Sequence, residues 1–133
     1  EINFQCHISA SAHFYSDPLR MEIIIHNLLA NALQFKDSSK PTSWIRIEVE
    51  IDPAKALIHF SDNGVGIAEN VLPNIFNMFI YGREYQSGPG LGLYIVKESL
   101  ERIRGSITVD STKGQETHFY LQIPNMKVSG LEG

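Results

Sequence analysis

The chain has 133 residues, 43% of them hydrophobic, which suits one domain with a core of its own. Eleven basic side chains against fifteen acidic ones leave a net charge of −4, which argues against an extended nucleic-acid surface while leaving room for a local basic pocket. The one cysteine, Cys6, excludes an internal disulfide and a cysteine-built zinc site, and fits a reducing compartment.

No apolar run reaches the length of a membrane span, and the chain opens mid-pattern without a signal peptide, as a piece of something longer would. Residues 2–8 alternate, with Ile2, Phe4, Cys6 and Ile8 on one face and Asn3, Gln5 and His7 on the other, which predicts a strand with one wet face. A small, polar connection follows. Asp17 then stands where a helix N-cap belongs, with Pro18 at the first helical position. The apolar stripe Met21, Ile24, Leu28, Ala32 and Phe35 steps by three or four and predicts a one-sided helix. The segment KDSSKPTSW ends it. IRIEVEI and ALIHFS read as two strands of a hairpin across the turn DPAK.

After the stretch SDNGVGIAEN, ENVLPNIFNMF predicts a short helical or turn region. IYGREYQSGPG is rich in turn formers and has no period, which predicts a mobile loop. LGLYIVKESLERIRG is a helix with the stripe Leu93, Val96, Leu100 and Ile103, and Gly105 is placed as its C-cap. SITVDS and THFYLQI are strands joined by TKGQE. One-sided helices with alternating strands predict a two-layer α/β sandwich. Charged outer positions such as Arg46, Glu48 and Glu50 exclude a parallel sheet buried on both faces.

Three clusters could carry chemistry. Asn27 and Asn31 share one face of the first helix, although asparagine lowers helix propensity. Their amide oxygens suit Mg²⁺ or its waters, and equally suit two satisfied polar groups at a helix edge. Asp62 ends a strand, ready to accept a hydrogen bond from an amine, and Gly64 and Gly66 permit close backbone approach. The alternative is an ordinary Asp-Gly turn. The run GPGLG at 88–92 leads into a helix N-terminus, which favours phosphate, although it is neither a Walker A sequence nor a dinucleotide fingerprint. Together the three fit one ligand with an exocyclic amine, a flat ring and Mg-bridged phosphates. ATP is the simplest such molecule. The five histidines lack a metal-binding spacing. His59 and His118 are expected on a wet strand face, and His26 as a partly buried structural residue.

In this order the motifs resemble the catalytic ATP-binding domain of a sensor histidine kinase, of the gyrase, chaperone and histidine-kinase ATPase superfamily. HNLLANALQF is similar to its N box, DNGVGI and GPGLGLYIVK to its two glycine boxes, IFNMF to its F box, and GSITVDSTKGQETHF to its closing strand pair. The resemblance covers roughly 15–124. It implies a Bergerat-type fold, a mixed sheet on helices, over residues 1–124, with 125–133 as a tail. It implies that Asp62 faces the adenine amine, that Asn31 binds Mg²⁺, and that Asn27 is catalytic, supporting the metal or phosphates. It further implies that Gly64, Gly66, Ile67, Gly88, Gly90, Leu91 and Gly92 shape the pocket and lid. Thr117 would lie near the adenine, and Phe76 and Phe79 would anchor the lid. Gln34 stands where the family has a basic residue, so Lys36 and Arg83 are the nearest basic candidates for phosphate. Pro89 and Glu116 also depart from the family pattern.

Relatives that hydrolyse ATP commonly carry Glu at the position of Asn27, so the amide favours phosphoryl transfer. The resemblance implies a cytoplasmic domain of a dimeric parent, with or without an inner-membrane anchor and with no direct membrane contact of its own. Its implied partners are a helical dimerisation and phosphoacceptor domain of the same parent and a response-regulator receiver domain, with no nucleic acid. The rivals are an anti-sigma-like serine kinase and a degenerate nucleotide-binding relay.

Overall fold

The computed structural model describes residues 2–77 and 91–126. The expected loop with Arg83, Gly88, Pro89 and Gly90, as well as Phe79 and the chain after Met126, lies outside the described residues. The elements are β1 (Ile2–Ala10), α1 (Pro18–Gln34), β2 (Ser43–Ile51), β3 (Lys55–Asp62), a single 3₁₀ turn (Leu72–Asn74), α2 (Gly92–Arg102), β4 (Ser106–Ser111) and β5 (Thr117–Pro124).

Asp17 starts α1 as its sequence position predicts. Its Oδ1 accepts from the amides of Leu19 at 3.0 Å and Arg20 at 3.2 Å, and Pro18 fills the first helical position, where no donor is needed. The far end of α2 is capped differently from expectation. Gly105 is not the left-handed residue; Arg104 is, with φ of 62°. The Gly105 amide donates to the Leu100 carbonyl at 2.7 Å and the Arg104 amide to Glu101 at 3.2 Å, which is the Schellman pairing. Space is tight at Gly105 instead, since a Cβ there would meet Leu100 Cδ2 at 2.8 Å and the Gln122 carbonyl oxygen at 3.0 Å.

The sheet runs β1-β2-β3-β5-β4, with β1 parallel to β2 and every other pair antiparallel. α1 and α2 cover one face. Ile24, Leu28 and Ala32 from α1, with Leu93, Val96 and Leu100 from α2, pack on Ile45, Ile47, Ile58, Phe60, Phe119, Leu121 and Ile123. Each large aliphatic or aromatic side chain buried there contributes about 1.5–3 kcal/mol. The opposite face is open and carries Arg46, Glu48, Glu50, His59, His118 and Tyr120. This is the two-layer sandwich that the alternation and the helix stripes predict, with the mixed sheet that the family resemblance implies.

β1 departs from expectation. Alternation predicts one buried face, yet Phe4 is 53% and Ile8 60% exposed. The strand sits at the sheet edge, paired only with β2, so among the described residues no helix lies over Phe4, Cys6 and Ile8. At the other end of the chain the bonding continues past β5. Asn125 donates to the carbonyls of His13 and Asp52 and accepts from the Tyr15 amide, stitching three loops together.

Candidate functional site

The site forms where β3 ends and β5 begins, beside α1. Asp62 and Thr117 are opposite each other in the β3–β5 register, and both are buried. With Asn31, Ala32, Phe35, Val65 and Gly66 they line one narrow cavity. Burial holds the Asp62 carboxyl above the usual carboxylate range, at about 6, although the Gly64 amide, His118 and Lys40 all pull it down. At neutral pH it is therefore an ionised acceptor in a largely dry place. Its Oδ1 already accepts from the Gly64 amide at 2.8 Å.

The two glycines are fixed by close approach. The segment after Asp62 runs between the end of α1 and the β4–β5 turn, bonded to both. The Val65 amide donates to the Phe35 carbonyl at 3.0 Å, and the Gly114 amide donates to the Val65 carbonyl at 2.6 Å. A Cβ on Gly64 would stand 2.5 Å from the Phe35 carbonyl oxygen, and one on Gly66 would collide with the Thr112 carbonyl oxygen. Gly66 also has φ of +75°, which disfavours any side chain. Ile67 is buried, and its amide donates to Ser111 Oγ at 3.0 Å. Ser111 Oγ in turn lies 2.8 Å from Thr117 Oγ1, so a hydroxyl chain runs from the glycine segment to the cavity wall.

Asn27 stands one helical turn from Asn31. Its Nδ2 donates to the Ile23 carbonyl at 2.8 Å, which fixes the amide so that Oδ1 faces away from the helix backbone. That oxygen lies 3.6 Å from where a Cβ on Gly92 would be, so α1 and the N-terminus of α2 meet at these two residues. Leu91, half-buried, is the α2 N-cap. Lys36 is exposed just past the end of α1 and does not line the cavity. His26 is exposed as well, not the partly buried residue that the sequence suggests. Among the described residues no group of three or more His, Cys, Asp or Glu side chains converges on a metal position.

Three contributors have roles that the sequence does not show. Lys40, within the helix-ending segment, puts Nζ 2.9 Å from the Asn63 carbonyl oxygen and 3.0 Å from that of Gly64. Asn63 accepts from the Trp44 amide at 2.8 Å and donates to the Thr42 carbonyl at 2.7 Å. Lys40 and Asn63 thus clamp the first glycine segment from outside. Ser111 reads in sequence only as the end of a strand. Asn63 and Ser111 lie within motif stretches, but nothing local marks the role of either or of Lys40, since each gains it from a partner distant in the sequence.

Residues 16–127 match the family described as histidine kinase-, DNA gyrase B-, and HSP90-like ATPase. The chain is 36% identical over 133 residues to the autoinducer 2 sensor kinase/phosphatase LuxQ of Vibrio cholerae, covering 93% of this chain and 15% of that one. It is 35% identical over 113 residues to the sensor histidine kinase RcsC of Escherichia coli, covering 81% of this chain and 11% of that one. The chain thus spans about 15% of the length of the first curated relatives it matches. Among solved structures, the catalytic domain of histidine kinase ThkA superposes with a TM-score of 0.75 at 23% identity, over 93% of this chain and 80% of that one. Full-length ShkA in complex with AMPPNP gives 0.76 at 25% identity, over 92% of this chain and 25% of that one.

Proposed function

The chain belongs to the histidine kinase-, DNA gyrase B- and HSP90-like ATPase family, and from that premise we propose that it is the ATP-binding catalytic domain of a two-component sensor histidine kinase. In this reading it presents the γ-phosphoryl group of ATP to a histidine on the helical dimerisation domain of its parent. A response-regulator receiver domain is the next acceptor. The work takes place on the cytoplasmic side, whether or not the parent is anchored in the inner membrane. No helix among the described residues is long and apolar enough to cross one.

The observation that supports the reading is the convergence of Asp62, Thr117 and Asn31 on one narrow cavity, which is also lined by Gly66, a position with no room for a side chain. Asp62 accepts a hydrogen bond from the exocyclic amine of adenine. Gly64 and Gly66 let the backbone lie flat against the ring, and the Ser111–Thr117 hydroxyls order the cavity wall. The outward amide oxygen of Asn27 and that of Asn31 suit Mg²⁺, which takes few protein oxygens and completes its shell with water and phosphate. Bound there, the ion supplies charge neutralisation on the phosphates. Asn27 is an amide and cannot take a proton from water, so the site favours transfer to an external acceptor.

The test is reconstitution. The chain alone, with labelled ATP and Mg²⁺, is expected to bind nucleotide without labelling itself, because transfer needs the acceptor in line and close. Adding the parent's dimerisation domain is expected to give an acid-labile, base-stable phosphate on histidine. An acid-stable phosphoserine on a partner would make the chain an anti-sigma-like kinase. Nucleotide binding with no transfer in the complete parent would make it a relay.

A further inference from the structure

β1 is an edge strand without the protection that edge strands usually carry. It is nine residues long, Ile2–Ala10, and its pairing with β2 runs through all nine without a bulge. It holds no Lys, Arg, Asp, Glu or Pro. Phe4 and Ile8 are more than half exposed, and Cys6 between them is exposed as well. Sheets blunt such an edge with charge, proline or a bulge, because its free N–H and C=O groups otherwise template another strand. The chain that follows does not cover the edge. The Ser11 amide donates to the Ile51 carbonyl at 2.9 Å, and Asn125 donates to the carbonyls of both His13 and Asp52. The connection to α1 therefore turns toward β2 and away from the edge.

The Ser11 bond also sets which groups are free. It continues the β1–β2 register by one residue, and backbone groups alternate in direction along a strand. Asn3, Gln5, His7 and Ser9 therefore bond toward β2, while Phe4, Cys6, Ile8 and Ala10 point their amides outward. We propose that this free edge pairs antiparallel with β1 of a second copy of the chain, about a two-fold axis through Cys6. The two cysteines then face each other, Phe4 of each copy meets Ile8 of the other, and Ile2 meets Ala10. All are outward-pointing residues that can exchange hydrogen bonds in pairs. This register alone uses all nine strand residues. A two-fold contact has to be self-complementary, and this one is. An aromatic meets a β-branched side chain on the helix side, Gln5 meets His7 on the open side, and no like charges are opposed. The axis stands perpendicular to the sheet, so the helices of both copies lie on one face. The two uncovered strips of Phe4, Cys6 and Ile8 merge into one apolar patch. One strand pair is a small interface, of the class below about 1,200 Å² in total, so the dilute chain is a monomer and the dimer forms at high micromolar protein. The nucleotide cavity does not include β1, so the pairing needs no nucleotide.

The experiment is sedimentation of the reduced, nucleotide-free chain from about 5 to about 500 µM, with hydrogen exchange at both ends of that range. A dimer fraction rising with concentration is expected. Exchange at Phe4, Cys6, Ile8 and Ala10 should slow at least about twofold at the high concentration, while Asn3, Gln5, His7 and Ser9 are protected at both. This alternation is read on the wild-type chain and needs no substitution. Ile8→Pro removes only an outward amide, and proline is tolerated on the free side of an edge strand. The dilute variant should fold as the wild type does and stay monomeric at every concentration. A short bismaleimide, with each Cys6 thiol adding across one maleimide double bond, should join two wild-type chains at high concentration and leave Cys6→Ser unjoined. A monomer throughout, with the four outward amides unprotected, overturns the proposal and leaves the edge to a strand of a different protein. A dimer that survives Ile8→Pro, or that forms without slowing those amides, overturns it too, because its interface lies elsewhere.

Discussion

At the scale of single residues, a buried carboxyl at the proposed site costs stability when it ionises, and Asp62 shows how. Its carboxyl is raised from 3.8 to about 6 by burial, so the folded chain binds a proton more tightly than the unfolded chain does. Stability is then highest while Asp62 is protonated, falls as pH rises from about 4 to about 6, and levels off above. Holding the charged form in that dry place costs about 2–3 kcal/mol at neutral pH. Asp62→Asn keeps an oxygen for the Gly64 amide and has no charge to desolvate. Its stability relative to wild type should therefore rise by about 2–3 kcal/mol between pH ~4 and pH ~7, read from denaturant melts. A constant difference would show that the carboxylate is not desolvated. The same substitution should weaken ATP at least about tenfold, since a charge-assisted bond of about 1.5–3 kcal/mol is lost. A variant more stable at neutral pH yet deficient in binding is the signature expected of this position. Asn31 makes a separate claim. Asn31→Ala should weaken MgATP more than metal-free ATP, and an equal loss in the two titrations would make Asn31 structural.

At the scale of elements the first glycine segment is held in place by its neighbours. α1 supplies the Phe35 carbonyl, the β4–β5 turn supplies Gly114, and Lys40 caps the carbonyls of Asn63 and Gly64. Hydrogen bonds from a charged donor are worth about 1.5–3 kcal/mol, although Lys40 is partly solvated and the lower end applies. Lys40→Met keeps the stem and removes the donor. It should cost about 1 kcal/mol of stability and speed amide exchange at Gly64 and Val65 while leaving exchange in β4 unchanged. Uniform change across the chain would argue against a local clamp. The end of α2 offers the opposite experiment. Arg104 occupies a left-handed conformation that disfavours residues with a Cβ, and its amide already has a partner. Arg104→Gly should raise the melting midpoint, with a gain of about 0.5–1 kcal/mol after glycine's own entropy cost. No gain would mean that the arginine side chain offsets its backbone strain.

At the scale of the whole molecule, what is legible in the sequence and what is not divides along a physical line. Helix caps, stripes and alternation are local, and Asp17, the α1 stripe and the β2–β3 hairpin stand where local rules predict them. Asp62, Gly66 and Asn31 stand out in the sequence, and the structure brings them to one cavity, with Gly64 beside them pressed against the Phe35 carbonyl. Sheet order is not legible, because nothing local inserts β5 between β3 and β4. Nor is the fate of β1. Residues 2–8 alternate as cleanly as 45–51 do, but alternation says only that a strand has two faces, not that a helix covers one. β2 lies under the helices, whereas β1 lies beyond them at the edge. The difference can be measured on the isolated chain. Phe4→Thr and Ile8→Thr keep a strand-favouring residue at each position and remove apolar surface that is already more than half exposed. Each should change stability by no more than about 0.5 kcal/mol. Leu28→Ala empties a site with 1% exposure beneath the sheet and should cost about 2–5 kcal/mol. If Ile8→Thr in the isolated chain cost as much as Leu28→Ala, the face of β1 would be covered in solution, and the edge assignment would fall with it.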